Sequence, residues 1–324
     1  MIRKRNFNLF ALLLTIVVGL GSYILLWIAL TPGPLKKNKI VIINKASLFN
    51  VANQLKKQSA INNKISFVLL AKLANSLTNL KAGEYELQEG NSIWNIIRIM
   101  QSGNFLKRSI TIPEGYSTTQ TLELIEQNPY LLGSITKEKY KEGELLPETY
   151  FFIHGEKKED LLNRMSSSMQ TTLDKIWKNR NKNIPLKNKS ELLILASIVE
   201  KEAKIKNEQP IIASVFMNRI KKRMKLESDP TTIYSITKGN YNLERPLRYK
   251  DLKIQSPFNT YFTLGLPPTP IANPGLHSIK ATANPAETKY IFFVVKDCEG
   301  HHSFSSKIKK HTAYVRKYRK LNCS

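Results

Sequence analysis

The hydrophobic and polar positions of this chain fall into three patterns. The first is an unbroken run from Leu9 to Leu30, 22 uncharged and mostly apolar residues behind Arg3-Lys4-Arg5. At about 1.5 Å of rise per residue, a helix of that length crosses a hydrocarbon core of roughly 30 Å. Tyr23 and Trp27 near its far end suit a membrane interface. A cleaved signal peptide has a shorter apolar core and a small-residue exit site. Here Thr31-Pro32-Gly33-Pro34 follows a long core instead, so the pattern predicts an uncleaved anchor. The basic start places the N-terminus in the cytoplasm and the remaining chain outside it, although Lys36, Lys37 and Lys39 weigh against that orientation.

The second pattern is a short strand, a turn, a serine and then a helix-periodic apolar segment, and it occurs three times. The copies begin at Val41, Tyr85 and Ile110, with Ser47, Ser92 and Ser117 placed to cap the helices. Gly90 and Gly115 supply turns, and Gly103 is placed to stop the second helix. The second copy is similar to the opening of a LysM module, a small glycan-binding fold, but a generic βα unit fits it equally well.

The third pattern is a segment apolar nearly all round. From Leu192 to Val199 the only polar side chain is Ser197, and Glu200-Lys201-Glu202 follows. Read as a helix, this segment is buried. A glutamate emerging from it has two readings. It marks the point where a core helix surfaces, or it is a carboxyl held protonated by lost hydration, as a general acid requires. Glu200 and Glu202 point about 200° apart on a helix, so they do not share a site. Ser197, one turn back from Glu200, lies on its face and is placed to orient it.

Other segments frame this one. Asp160 to Lys178 reads as an amphipathic helix and Lys178 to Lys189 as an exposed connection. Asn207 is a candidate cap for a second helix with Pro210 in its first turn, and Asp229-Pro230 reads as a turn. Ser256 to Gly275 holds too many prolines and glycines for a helix or central strand. Tyr290 to Val295 reads as a buried strand, and His302 to Ser305 leads into a basic C-terminal helix.

Composition adds charge to this picture. Fifty Lys and Arg against 25 Asp and Glu give a formal charge of +25, which points to an acidic polymer or an anionic surface. The extracytoplasmic placement removes nucleic acid, leaving lipid headgroups or a cell-wall polymer; lysines that serve only solubility are the other reading. Cys298 and Cys323 could pair in an oxidising compartment, but two cysteines make no disulfide framework, and the favoured reading is adventitious thiols. His301, His302 and His311 have no acidic or cysteine neighbours in a ligand pattern, so neither a metal nor a cofactor is expected.

Together, Glu200-Lys201-Glu202, Val215 to Arg219, Ser228-Asp229-Pro230-Thr231, Asn259-Thr260-Tyr261, Gly265 to Pro268, Ile271 to Gly275 and His302-Ser303-Phe304 occur in an order that closely resembles the endolytic murein transglycosylase (YceG-like) family. Leu146 to Tyr150 belongs to the same resemblance, with Glu148 where Asp is frequent and with Thr269 and Asn273 at variable positions. It implies an α+β protein with one N-terminal transmembrane helix, a LysM-like βα subdomain and an α+β catalytic domain. The expected boundaries are a cytoplasmic tail at 1–8, the membrane helix at 9–30, a linker at 31–39, the LysM-like part at 40–108, a connecting region at 109–189 and the catalytic part at 190–324.

The resemblance also implies a plasma-membrane enzyme that acts on peptidoglycan glycan strands. It would cut the MurNAc-β-1,4-GlcNAc bond internally, leave 1,6-anhydro ends and limit strand elongation, alongside cell-wall synthases and division proteins. Glu200 is then the catalytic residue. Ser197, Asp229, Tyr234, Asn259 and Tyr261 are the substrate-contact candidates, each with a structural role as the other reading. Two rivals stay open: a two-carboxylate glycoside hydrolase using Glu227 or Asp229, and a non-catalytic membrane-tethered glycan-binding scaffold.

Overall fold

The computed structural model describes residues 2–44, 46–74 and 80–321. Two compact units divide the chain, one reaching to Arg108 and including Phe152–Gly155, the other formed by Ser109–Phe151 and the chain from Glu156 onward.

In the first unit, α1 (Ile2–Leu30) contains a 19-residue stretch, Leu12–Leu30, long and apolar enough to cross a membrane. Next come β1 (Lys39–Ile43), α2 (Leu48–Lys57), α3 (Lys64–Leu73), β2 (Gly83–Leu87) and α4 (Ile93–Ser102). The strands pair antiparallel, Lys39 opposite Leu87 and Ile43 opposite Gly83. Val41 and Ile43 on one strand and Tyr85 and Leu87 on the other are buried, and Leu55, Phe67, Ile96 and Ile97 close the core over them. Glu84 is buried too, where a two-pronged contact with Arg108, at 2.7 and 2.8 Å, holds its carboxyl below the usual range.

All three serine caps form. Ser47, Ser92 and Ser117 accept from the backbone N–H of Asn50, Asn95 and Gln120, and Gln120 returns a bond to complete a capping box. Gly103 ends α4 in the left-handed region (φ 70°), as its position predicts.

The second unit contains α5 (Thr118–Glu126), α6 (Lys158–Lys178), α7 (Lys189–Glu202), α8 (Gln209–Lys221), α9 (Asp229–Thr237), α10 (Leu276–Ala283), the antiparallel pair β5 (Phe292–Val295) and β6 (His302–Ser305), and α11 (Ile308–Tyr318). The chain passes between the units through β3 (Lys107–Thr111) and β4 (Thr149–Ile153), which pair with each other. α7 is the axle: every residue from Leu192 to Val199 is buried, and α6, α8, α9 and α10 pack around it.

Several local expectations are corrected. Asp229-Pro230 opens α9 and is not a turn, because proline is tolerated where the N–H has no intrahelical acceptor. Asn207 lies in a single 3-10 turn and does not cap α8, although Pro210 does sit in that helix's first turn. β5 is half-buried, its exposure limited by α11 on one side. Cys298 carries a disulfide and is not an adventitious thiol; Cys323 lies outside the described residues. His301 pairs with Asp297, His302 with Glu208, and His311 stacks on Phe292, so the three histidines serve separate contacts.

Candidate active site

The last turn of α7 sends its two glutamates to opposite environments. Glu202 points toward the start of α9. Its Oε1 accepts from the Ser228 hydroxyl at 2.6 Å. Loss of water around the carboxyl pushes it up to about 7, against the pull of the Ser228 bond and with a smaller push from the charge of Asp229. Asp229 accepts from the Tyr261 phenol at 2.7 Å, and burial, followed by Asp229 and Glu202, raises that phenol well above its ordinary value. Glu202, Ser228, Asp229 and Tyr261 therefore form one cluster, and Asp229 stands exposed at its rim.

Buried polar residues from two motifs hold this cluster in place. Asn259 is fully buried. Its Oδ1 accepts from Thr232 and from the Tyr261 backbone, and its amide donates to Leu252 and Ile254 carbonyls. Thr260 accepts from the Ser228 N–H at 3.0 Å and meets the Thr231 hydroxyl at 2.8 Å. With every donor and acceptor matched, these groups lock the Asn259-Thr260-Tyr261 loop against the first turn of α9. Arg219 fixes the approach to Ser228: its guanidinium donates to the Lys225 and Leu226 carbonyls and pairs with Glu227 at 2.9 Å.

Glu200 points toward α10. Its Oε2 accepts from the Gly275 N–H at 2.8 Å and from the Ser278 hydroxyl at 2.7 Å. Gly275 is the N-cap of α10 and has no side chain to satisfy the helix's free N–H groups. The Glu200 carboxyl from α7 supplies the missing acceptor at the positive end of the helix dipole. Glu114, which is ion-paired to Lys206 at 2.9 Å, packs so closely on Gly275 that a Cβ there would come within 2.1 Å of it. This is a tie between helices.

The remaining candidates divide between these two sides. Ser197 is fully buried and does not orient Glu200; its hydroxyl donates to the Ile194 carbonyl and accepts from the Ile271 N–H, fastening the proline-rich loop to α7. Tyr234 turns away from Glu202 and donates to Glu142 at 3.2 Å. Burial raises the Glu142 carboxyl, and the Thr118 N–H bonds it at 2.7 Å. A small recess lies on that side, lined by Gly115, Gln120, Lys201, Ile233, Tyr234 and Tyr241. Lys201 donates to the Gly115 carbonyl, and burial lowers its ammonium while Glu200 and Glu142 oppose that shift. Glu142, Ser228 and Ser278 escaped the sequence reading. Ser228 stood within a motif without being given a role, and nothing local marked the other two. A cavity of about 640 Å³ between α6 and α10, lined by Lys175, His277 and Lys280, includes neither α7 glutamate.

Fold and site define a helix-rich α+β protein that sets one carboxyl, raised by burial, beside Asp229 and the Tyr261 phenol, in a chain that also carries a membrane-length helix. The YceG-like family model matches residues 40–317, and the chain belongs to that family. It is 30% identical over 321 residues to a Bacillus subtilis protein named endolytic murein transglycosylase, covering 88% of this chain and 87% of that one. A Streptococcus pneumoniae protein of the same name is 27% identical over 308 residues; the match spans 82% of this chain and 55% of that longer protein. A crystal structure of a YceG-like protein from Listeria monocytogenes superposes with a TM-score of 0.54 at 28% identity, covering 86% of this chain and 99% of that one.

Proposed function

We propose that this protein is a membrane-anchored endolytic transglycosylase of peptidoglycan and that Glu202, rather than Glu200, is its acid–base residue. The observation that carries the assignment is the Glu202 carboxyl, pushed up to about 7 beside Asp229 and Tyr261. A group near neutrality is divided between its protonated and ionised forms at working pH, and a lytic reaction needs both in turn. Protonated Glu202 gives its proton to the bridging oxygen as the MurNAc–GlcNAc bond breaks, freeing the GlcNAc 4-hydroxyl. The resulting carboxylate takes the proton of the muramoyl 6-hydroxyl as that oxygen bonds to the anomeric carbon. The product is a 1,6-anhydro ring, no water is consumed, and Glu202 ends protonated again. Burial, with a smaller push from Asp229, favours the protonated form of Glu202, and Asp229 stabilises positive charge at the anomeric centre; Tyr261 holds Asp229 in place. The names of the relatives support the substrate, and the length and apolar composition of Leu12–Leu30 support a membrane anchor, which in this reading crosses the plasma membrane once with its N-terminus in the cytoplasm. The LysM-like βα segment would hold the strand, next to the synthases and division proteins whose product it trims.

Asp229 near Glu202 also favours one alternative, a hydrolase in which the second carboxylate activates water. Mass spectrometry of purified glycan strands treated with the full-length protein separates the readings. Ends lighter by one water mark the lytic reaction, reducing ends the hydrolase, and uncut strands a binding scaffold. Turnover that survives Glu202→Gln but is abolished by Glu200→Gln would reverse the residue assignment.

A further inference from the structure

One helix of the first unit carries an apolar face that no described residue covers. In α3, Phe67, Leu70 and Ala71 point into the core, whereas Ile65, Leu69 and Leu73 remain 73%, 45% and 62% exposed. A spacing of four keeps these three on one stripe. Phe49 at the start of α2, itself exposed, lies under the Lys64 ammonium at 5.5 Å and extends the patch. Contiguous exposed apolar surface of this kind marks a contact.

The position of α1 indicates what that contact is. α1 packs on α3 and α4, and its final residues Ile28 and Ala29 enter the same core as Phe67 and Leu70. Packed helices run about 8–10 Å apart. A helix held that close to the exit of a membrane-length span lies at the depth of the lipid headgroups. The charge fits as well: from Thr31 to Arg108 the chain has 12 basic and 3 acidic residues, and Lys64 and Lys72 belong to α3 itself. An apolar stripe bordered by lysines is the composition of a helix lying in an anionic interface.

We propose that α3 rests in the surface of the bilayer that α1 crosses, with Ile65, Leu69 and Leu73 among the upper acyl chains and Lys64 and Lys72 at the headgroup phosphates. This rests on reading α1 as a membrane anchor, and the experiment separates the two. A fluorophore is attached at Leu69→Cys, or at Leu20→Cys in α1, in the full-length protein reconstituted into vesicles of phosphatidylglycerol and phosphatidylethanolamine. Lipids bearing a quencher near the headgroup should dim the Leu69 probe at least about twofold, while quenchers deep in the chains act most strongly on the Leu20 probe. A Leu69 probe indifferent to quencher while the Leu20 probe is quenched overturns the α3 contact and leaves the anchor standing. A buried but unquenched Leu69 probe, blue-shifted without response to quencher lipid, assigns the stripe to a protein partner and equally overturns it. Failure of quenching at Leu20 removes the anchor and the α3 contact together.

Discussion

Glu200 and Glu202 leave one helix two residues apart and meet opposite surroundings. Glu200 meets two donors at the start of α10 and caps a helix whose own N-cap is glycine. Glu202 meets one hydroxyl and a neighbouring carboxylate, and burial carries it up to about 7. The same residue type on the same apolar scaffold meets the donors of a helix start on one side and a buried place that raises its carboxyl on the other. What differs is the set of groups that distant parts of the chain bring to each face.

The largest expected break in this comparison is in turnover. Glu202→Gln should lower glycan cleavage by about two to four orders of magnitude, the usual worth of a general acid–base group, with glycan affinity retained. Glu200→Gln should cost less than about tenfold. Parallel digestion of glycan strands by the two variants checks this, and equal losses would dissolve the distinction.

Stability against pH should separate them next. The folded pKa of Glu202 lies above its ordinary value of 4.5, so the unfolded chain ionises first as pH rises. The stability linked to this group is complete below about pH 4.5 and is lost as pH climbs through about 7. The loss is up to about 3 kcal/mol, an upper bound for so large a displacement. Denaturant unfolding at pH 5 and pH 8 should show that loss in the wild type and a flatter profile in Glu202→Gln. On the activity side, kcat/KM should fall above about pH 7 as the acid form of Glu202 disappears.

Smaller effects sharpen the two sides separately. Ser278→Ala removes one of the two bonds to Glu200 and should cost about 1 kcal/mol of stability with little change in turnover. Asp229→Asn removes the like charge beside Glu202 and should move the alkaline limb of the pH–rate profile downward by a fraction of a pH unit. An upward move would mean that Asp229 does not act on Glu202 through its charge.

Much of the scaffold was legible because its causes are local. The serine caps, the Gly103 stop and the burial of Leu192 to Val199 follow from residues within a turn or two of one another. The clustering of Asp229 and Tyr261 was legible only as membership in a motif set, and Asn259 in that set proves to be the buried clamp beneath them. Ser197 shows the limit of helical periodicity, which places a side chain on a face without naming what that face meets. Ser197 was one turn from Glu200 and bonds Ile271 instead. Glu142 was invisible, since nothing near it in the chain foretells that the Thr118 N–H and the Tyr234 phenol converge on it.

The sequence by itself determined a membrane-length N-terminal helix, three capped strand–helix units, a wholly apolar helix ending in two carboxylates, and membership in a recognisable family. Only the tertiary structure decided what each carboxyl meets: Glu202 a buried place that raises it, Glu200 the donors that start α10. A helix fixes the angle between two side chains through contacts three and four residues apart. The free energy of ionising each is set by hydration, by donors and by charges delivered from 26 to 78 residues away. Those terms appear only when the chain has packed.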